Sequence, residues 1–235
     1  LGTSGTIYAN SDKPIIDPNG ELAAFCSSDG AWLPLICTMN VTVSTELARD
    51  LLGLDTEGLN KKAGAAPIGA EGLLLLPYFN GERTPALPTA SATLTGLTSA
   101  NFTRPNLCRA AMEGATLGLN YGLEVLKRRG LSPSEIRLVG GGAKSSLWRS
   151  LVADVFGCPV VRPQAAEAGA LGGALQAMWC VSHAAGEPVS LKELSDRFIT
   201  LDESSRVEPD PSRSERYREL FEKYLALGEA LKSTY

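Results

Sequence analysis

Residues that bind metals or form disulfides are scarce in this sequence. It contains one His and five Cys among 235 residues, and no two cysteines form a CxxC pair. The thiols are widely spaced and odd in number: Cys26, Cys37, Cys108, Cys158 and Cys180. A zinc cluster needs four closely spaced ligands, which these thiols and the single His183 do not supply. We therefore expect reduced core thiols in a cytoplasmic protein.

The sequence also lacks an excess of positive charge and long apolar runs. Its net charge is -4, and no run of Lys or Arg is present. Nucleic acid and membrane surfaces are therefore not expected as partners. No apolar run approaches the ~20 residues of a membrane span, and the start does not resemble a signal peptide. Because the first residue is Leu rather than Met, we expect a piece of a longer protein.

What is present is a composition typical of one large globular domain, with 44% hydrophobic and 20% charged residues. The segments "LGTSGTIYANS" and "AWLPLICTMN" predict a strand, a tight turn, a second strand and then a third, as a hairpin meander. "VSTELARDLLGL" predicts a helix with Thr45 as its N-cap and a stop at Gly53. Its buried face would carry Leu47, Leu51 and Leu52.

A long helix is predicted over residues 105–129, after a Gly/Ala-rich connection, a buried strand in "GLLLLPYF" and a long polar loop over residues 80–99. Gly114, Gly118 and Gly122 recur four residues apart on this helix, and each costs roughly 1 kcal/mol relative to Ala. We therefore expect another element to approach that face closely.

Strands and helices alternate in the second half of the chain. A strand over 136–139, a glycine turn, a helix over 145–156, a strand at 160–161 and a small-residue helix over 167–179 predict a partly parallel sheet covered by helices. A C-terminal amphipathic helix follows, with Asp210 as N-cap and Pro211 at its first position. The fold class is thus α/β, with a mixed sheet flanked by helices.

Two glycine turns are candidates for binding a ligand. "GGGAKSS" is neither a P-loop, because Ala143 precedes Lys144, nor a dinucleotide fingerprint, because Ser145 stands where the third Gly belongs. It still leaves bare backbone and helix-start N–H groups beside a strand end. In "LGTSGT" the backbone N–H groups and the Thr3 hydroxyl could bind an anion. A plain turn without a ligand is the alternative at both places.

The order of the motifs resembles the C-terminal half of FGGY carbohydrate kinases, and most closely the xylulokinases among them. The segments that carry the resemblance are LGTSG, GLLLLPYFNGERTP, AAMEGATLGL, LVGGGAKSSLWRSLVADVFGCPV and EAGALGGAL. It implies one lobe of a two-lobe, ribonuclease H-like ATPase fold similar to actin and hexokinase, here residues 1–235. It also implies phosphoryl transfer from ATP, with Mg²⁺, to a sugar such as D-xylulose.

The resemblance also implies which residues form the site. Gly2 and Thr3 would face the ATP phosphates. Gly141, Gly142 and Ser146 would border the adenosine, and Asn40 and Thr45 would line the same cleft. The catalytic Asp would end a glycine-rich segment shortly before the turn at LGTSG, and most of the sugar pocket would belong to the preceding lobe, both outside this chain.

Several alternatives stay open at this point. The sugar could be gluconate, ribulose or glycerol, although the segment "MNVTVST" lacks the Gly usual in glycerol kinases. The lobe could instead be a noncatalytic actin-like scaffold, and a homodimer is also open. We assign no catalytic role to Glu113, Asp154 or Glu167, for which a cap, an ion pair or a solvated position is the usual role. Glu82 and Arg83 would organise the long loop or meet the missing lobe, and a structural ion pair is the alternative.

Overall fold

Three small sheets surround one long central helix in the computed structural model, which describes all 235 residues. The strands are β1 (Gly5–Tyr8), β2 (Ala23–Cys26), β3 (Trp32–Thr38), β4 (Leu74–Leu76), β5 (Thr93–Thr95), β6 (Ile136–Arg137), β7 (Val160–Pro163) and β8 (Leu201–Val207). The first sheet has the order β1-β3-β2 and is antiparallel. Strands β4 and β5 form an antiparallel pair. In the third sheet β6 and β7 are parallel and β8 is antiparallel to β7, which confirms the predicted mixed α/β class.

Seven α-helices connect and cover these sheets. They are α1 (Thr42–Leu51), α2 (Thr56–Ala65), α3 (Arg104–Arg128), α4 (Ser146–Phe156), α5 (Ala168–Ala184), α6 (Leu191–Phe198) and α7 (Pro211–Leu231). Short 3₁₀ turns cover Ala70–Gly72, Gly141–Lys144 and Lys232–Thr234. No helix has both the length and the hydropathy needed to cross a lipid bilayer.

The close approach predicted for the glycine face of α3 is confirmed. A Cβ added at Gly114 would lie 2.4 Å from the carbonyl oxygen of Leu75 in β4. A Cβ at Gly122 would lie 2.8 Å from Ile36 Cγ2 in β3. The first two sheets therefore sit directly on the backbone of α3, and the missing side chains are what permits this packing.

The N-terminal segment differs from its prediction. Residues 1–4 form no strand, and the hairpin is β2–β3 rather than the start of the chain. The backbone of Leu1 instead forms hydrogen bonds with Val139 and Gly142, far along the sequence. This long-range pairing takes the place of the local hairpin.

Helix α1 begins earlier than predicted and buries another face. Thr45 lies inside the helix, so its prediction as N-cap was wrong. The helix needs no side-chain cap, because backbone carbonyls of residues 2 and 3 accept the N–H groups of Thr42 and Val41. Leu51 is 83% exposed, while Ser44 is buried and donates to the carbonyl of Ala111. The small face of α1 thus lies against α3.

Two helices, α2 and α6, were not predicted, and α5 was predicted too short. Helix α2, capped by Asp55, occupies what was predicted as a Gly/Ala-rich connection; it has only Leu59 and Ala63 buried, too weak an apolar pattern to detect. Helix α5 extends past its predicted end and includes His183. Among the thiols, Cys108 and Cys158 are buried as predicted, but Cys26 and Cys180 are exposed.

Helix α5 has an unusual environment for an apolar helix. Of its 17 residues only Leu175 is buried, and Val181 is 69% exposed. A Cβ placed at Gly169, Gly172 or Gly173 would meet nothing within 4 Å. Apart from α6 and a hydrogen bond from Gln176 to Ser28, little of this chain covers the helix. Its apolar surface is open.

Candidate functional site

The two glycine turns predicted to bind a ligand meet at Leu1. The Leu1 nitrogen donates to the carbonyl of Val139 at 2.5 Å, and the N–H of Gly142 donates to the carbonyl of Leu1 at 3.2 Å. These bonds set the turn at residues 1–5, which we call the LGTSG turn, beside the turn at residues 140–143, the GGGA turn. One site therefore contains both motifs.

The LGTSG turn presents backbone donors to solvent. The N–H of Val41 donates to the carbonyl of Thr3 and that of Thr42 to the carbonyl of Gly2, each at 2.9 Å. The carbonyls are thus turned toward the start of α1. The N–H groups of Thr3 and Ser4 donate to no group in the chain, and both residues are exposed. Two free N–H groups on an exposed turn suit an anion.

The GGGA turn has one glycine facing outward and one facing inward. Gly141 is exposed, and a Cβ there would meet nothing within 4 Å. Gly142 is buried, and its Cβ would lie 2.8 Å from Leu1 Cβ and 3.3 Å from the Trp148 ring. Gly141 therefore offers open backbone to a ligand, whereas Gly142 allows Leu1 to pack.

The start of α4 borders the same turn. Ser145 caps the helix by accepting the N–H of Trp148, and its hydroxyl donates to Asn60 in α2 at 2.6 Å. Ser146 is exposed, and its hydroxyl forms no hydrogen bond within the chain. Of the two serines, Ser146 is the one free to contact a ligand.

Asn40 and Thr45 are placed differently from the other predicted residues. Asn40 is 1% exposed; its amide donates to the carbonyl of Gly81 at 2.7 Å and to Glu82 at 3.1 Å, and its oxygen accepts the N–H of Asn80. Thr45 is 6% exposed and donates to the carbonyl of Thr42. The structure thus brings Gly2, Thr3, Gly141, Gly142 and Ser146 to one region and keeps the Asn40 and Thr45 side chains inside.

Glu82 is the main feature that the sequence did not resolve. Its carboxylate is 4% exposed and accepts the N–H groups of Met39 and Arg83, each at 2.7 Å. Burial raises the pKa of Glu82, although these hydrogen bonds act in the opposite direction. Arg83, by contrast, is exposed and forms no ion pair. Glu82 therefore organises the loop, one of the two roles expected from NGERTP.

The carboxylates of Glu113 and Asp154 are buried, and each is held in an ion pair. Arg109 contacts Glu113 at 2.6 Å, and the Tyr217 hydroxyl lies 3.0 Å from the same oxygen. Asp154 binds Arg213 at 2.7 Å and accepts the N–H of Asp210. These partners occupy both groups, as expected for structural carboxylates.

Comparison with known proteins shows which family this sequence resembles. The sequence profile of the FGGY family of carbohydrate kinases, C-terminal domain, matches residues 1–181. The xylulose kinase of Haemophilus influenzae is 52% identical over 225 residues, which cover 96% of this chain and 45% of that protein. The chain thus spans less than half the length of this relative.

Two solved structures have a similar fold. The ligand-bound xylulose kinase of Lactobacillus acidophilus superposes with a TM-score of 0.90 at 29% identity, over 100% of this chain and 47% of that one. The gluconate kinase of Lactobacillus acidophilus gives a TM-score of 0.88, also at 29% identity and with the same coverage. On the profile match and the identity to its relatives, the chain belongs to the FGGY family of carbohydrate kinases and matches its C-terminal domain.

Proposed function

We propose that this chain is the nucleotide-binding lobe of an ATP-dependent sugar kinase that phosphorylates D-xylulose. The observation that carries the proposal is the contact of the LGTSG and GGGA turns through Leu1. A nucleoside triphosphate needs one surface for its phosphates and another for its base. The free N–H groups of Thr3 and Ser4 provide the first surface, and the open backbone at Gly141 provides the second.

Each turn has a separate task in this proposal. The free N–H groups of Thr3 and Ser4, with the Thr3 hydroxyl, bind phosphate oxygens, and Gly2 leaves room for them. The open backbone at Gly141 lies against the adenosine, and Ser146 borders it. Asn40 and Thr45 support the site from inside rather than touching the ligand.

The donor set also indicates how Mg²⁺ would be held. No group of three or more His, Cys, Asp or Glu side chains lies close enough together to hold a metal ion. Mg²⁺ commonly binds through substrate phosphates, water and one or two carboxylates. The N–H donors of the LGTSG turn suit phosphate oxygens and offer no ligand to a cation, so in this proposal Mg²⁺ would be held by the nucleotide phosphates and would neutralise charge on the transferring phosphoryl group.

A second lobe completes the enzyme in this proposal. The relatives are about twice as long as the matched region, since the chain covers 45% of the Haemophilus influenzae protein. The open apolar surface of α5 is the place where such a lobe would pack. In this proposal the carboxylate that accepts the sugar hydroxyl proton would come from outside this chain, as the resemblance to the family implies. Glu113 and Asp154 are engaged in ion pairs, and Glu167 is exposed at the start of α5. A cytoplasmic location belongs to the same proposal.

D-xylulose is the substrate best supported by the names of the relatives. Gluconate is the second candidate, because a gluconate kinase has nearly the same fold similarity as a xylulose kinase. The two glycine turns do not distinguish these sugars, since they face the nucleotide.

A chimera tests the proposed activity. The part of the Haemophilus influenzae xylulose kinase that precedes the matched region would be joined to this chain. We expect ATP-dependent phosphorylation of D-xylulose by the chimera and its loss in Gly141→Val. The matched control, Gly228→Val, adds the same side chain on α7, away from the GGGA turn and from α5, where its Cβ would lie 3.8 Å from the Tyr78 hydroxyl. A soluble, folded chimera without activity would contradict the proposal.

A further inference from the structure

We propose that Glu82 is a positioning residue for the nucleotide: its buried carboxylate fixes the LGTSG turn through the junction between β3 and α1. The inference rests on the proposed function, which assigns that turn to the phosphates. It concerns a residue that does not touch the ligand.

The junction consists of four consecutive residues that bind two different loops. Met39 and Asn40 bind the loop at residues 80–82, through the Glu82 carboxylate, the carbonyl of Gly81 and the N–H of Asn80. Val41 and Thr42, the next two residues, donate to the carbonyls of Thr3 and Gly2. A shift of Glu82 therefore moves the donors that hold the LGTSG turn.

The two carboxylate oxygens of Glu82 have separate partners. Oε1 accepts the N–H groups of Met39 and Arg83, and Oε2 accepts the amide of Asn40. The side-chain amide of Asn40 cannot flip by about 180°, because its nitrogen also donates to the carbonyl of Gly81 and its oxygen accepts the N–H of Asn80. Glu82 must therefore accept at both oxygens.

This requirement makes Glu82→Gln a sharp variant. In one orientation its NH₂ group faces the NH₂ group of Asn40; in the other it faces the N–H groups of Met39 and Arg83. Either way, donors oppose donors and a buried N–H loses its acceptor. The size of the side chain is unchanged, so the packing of the loop is kept.

The effect is expected at the turn rather than in the core. Helix α1 keeps its separate attachment to α3, where Ser44 donates to the carbonyl of Ala111 at 3.0 Å. The first four residues of the LGTSG turn lie outside any strand and are held by the bonds from Val41 and Thr42 and by the contacts of Leu1, while Gly5 pairs with Thr38 in β3. A small displacement there is costly, because a misplacement of about 1 Å can reduce rates about 100-fold.

The test measures MgADP affinity by calorimetry and backbone amide exchange in this chain. We expect Glu82→Gln to weaken MgADP binding at least about tenfold and to speed exchange at Val41 and Thr42. In the double variant Glu82→Gln with Asn40→Asp, the NH₂ group at position 82 can donate to the carboxylate at position 40, the reverse of the wild-type bond. The double variant should therefore bind MgADP more tightly than Asn40→Asp alone.

Asp154→Asn is the matched control. Asp154 is also a buried carboxylate that accepts backbone and side-chain N–H groups, one from the backbone of Asp210 and two from the Arg213 guanidinium, but it lies between α4 and α7. The Asp154→Asn variant should have a lower melting temperature, with amide exchange at Val41 and Thr42 and the MgADP affinity unchanged.

The outcomes separate the two proposals. If Glu82→Gln leaves exchange at Val41 and Thr42 unchanged, or leaves MgADP affinity unchanged, Glu82 has no positioning role. If the wild-type chain itself does not bind MgADP while its exchange responds to Glu82→Gln, the coupling exists but the proposed function fails, and the assignment to the nucleotide fails with it.

Discussion

The N–H of Gly142 donates to the carbonyl of Leu1 at 3.2 Å, and no side chain separates the two residues. A Cβ at position 142 would lie 2.8 Å from Leu1 Cβ, closer than real side-chain contacts permit. The two glycine turns can therefore pack together because residue 142 has no side chain.

Replacing Gly142 should destabilise the fold. We expect Gly142→Ala to lower the unfolding free energy by about 1 to 3 kcal/mol, because the added methyl group must displace Leu1 or Trp148. Urea unfolding measures the change. Gly141→Ala is the matched control and should stay within about 0.5 kcal/mol of wild type, since its methyl group meets open space. An equal loss of unfolding free energy in both variants would contradict the conclusion that Gly142 faces inward and Gly141 faces outward.

The glycines of α3 should differ in their tolerance of Ala. Gly114→Ala brings a methyl group to 2.4 Å from a backbone carbonyl, and we expect a loss of about 3 kcal/mol. Gly118→Ala meets only the Tyr224 hydroxyl at 3.2 Å, and the gain of about 1 kcal/mol in helix propensity offsets that contact. Thermal unfolding of the two variants gives the comparison. A Gly118→Ala variant as unstable as Gly114→Ala would show that the distance to β4 is not the cause.

Loss of the ion pair between Arg109 and Glu113 should lower stability more than loss of the neighbouring Tyr217 hydroxyl. Removal of the carboxylate in Glu113→Ala leaves Arg109 buried at 7% exposure without its counter-ion, and we expect a loss of about 3 to 5 kcal/mol. Tyr217→Phe keeps the ion pair and removes a hydroxyl that donates to Glu113 and accepts from Arg109, which should cost about 1.5 to 3 kcal/mol. Denaturant unfolding at neutral pH separates the two losses, and the prediction fails if the phenylalanine variant is the less stable one.

Stability should fall at alkaline pH because buried tyrosines resist ionisation. Burial raises the pKa of Tyr78 to about 12, against about 10 in an unfolded chain. The folded state therefore holds this proton more tightly, and the associated stability is present below pH 10 and lost between pH 10 and 12. For a difference of about two units this is about 2 to 3 kcal/mol. Tyr224, Glu82 and Tyr235 are the titratable groups that act on Tyr78.

Tyr78→Phe tests this pH dependence. We expect a shallower loss of unfolding free energy between pH 10 and 12 than in wild type, measured by urea titrations across that range. Tyr8→Phe is the control, because Tyr8 is 56% exposed and should leave the slope as in wild type. An identical slope for Tyr78→Phe would assign the alkaline loss to other groups.

Much of the fold was predictable from local patterns. The long glycine-bearing helix α3, the buried strand β4, the parallel β6–β7 pair and the Asp210–Pro211 start of α7 follow from periodicity and capping, which depend on nearby residues. Helix α2 has too few apolar residues to be detected in this way.

The rest depended on long-range contacts. Thr45 resembled a helix cap, but the N–H groups at the start of α1 are satisfied by the backbone of Gly2 and Thr3. The motif GGGA does not predict which glycine faces inward, because the contacts of Gly142 with Leu1 and Trp148 determine this. Likewise the sequence alone does not show that the side-chain amide of Asn40 donates to Gly81 and Glu82 rather than to a ligand.

Calorimetric titration of this chain with MgADP tests the central claim most directly. The account predicts saturable binding with a Kd in the micromolar to millimolar range, about -8 to -4 kcal/mol. Gly141→Val should abolish it, and Gly173→Val should retain it, since both side chains enter open space but only the first lies on the GGGA turn. Binding that survives in Gly141→Val, or no binding by a folded wild-type chain, would contradict the nucleotide-lobe account.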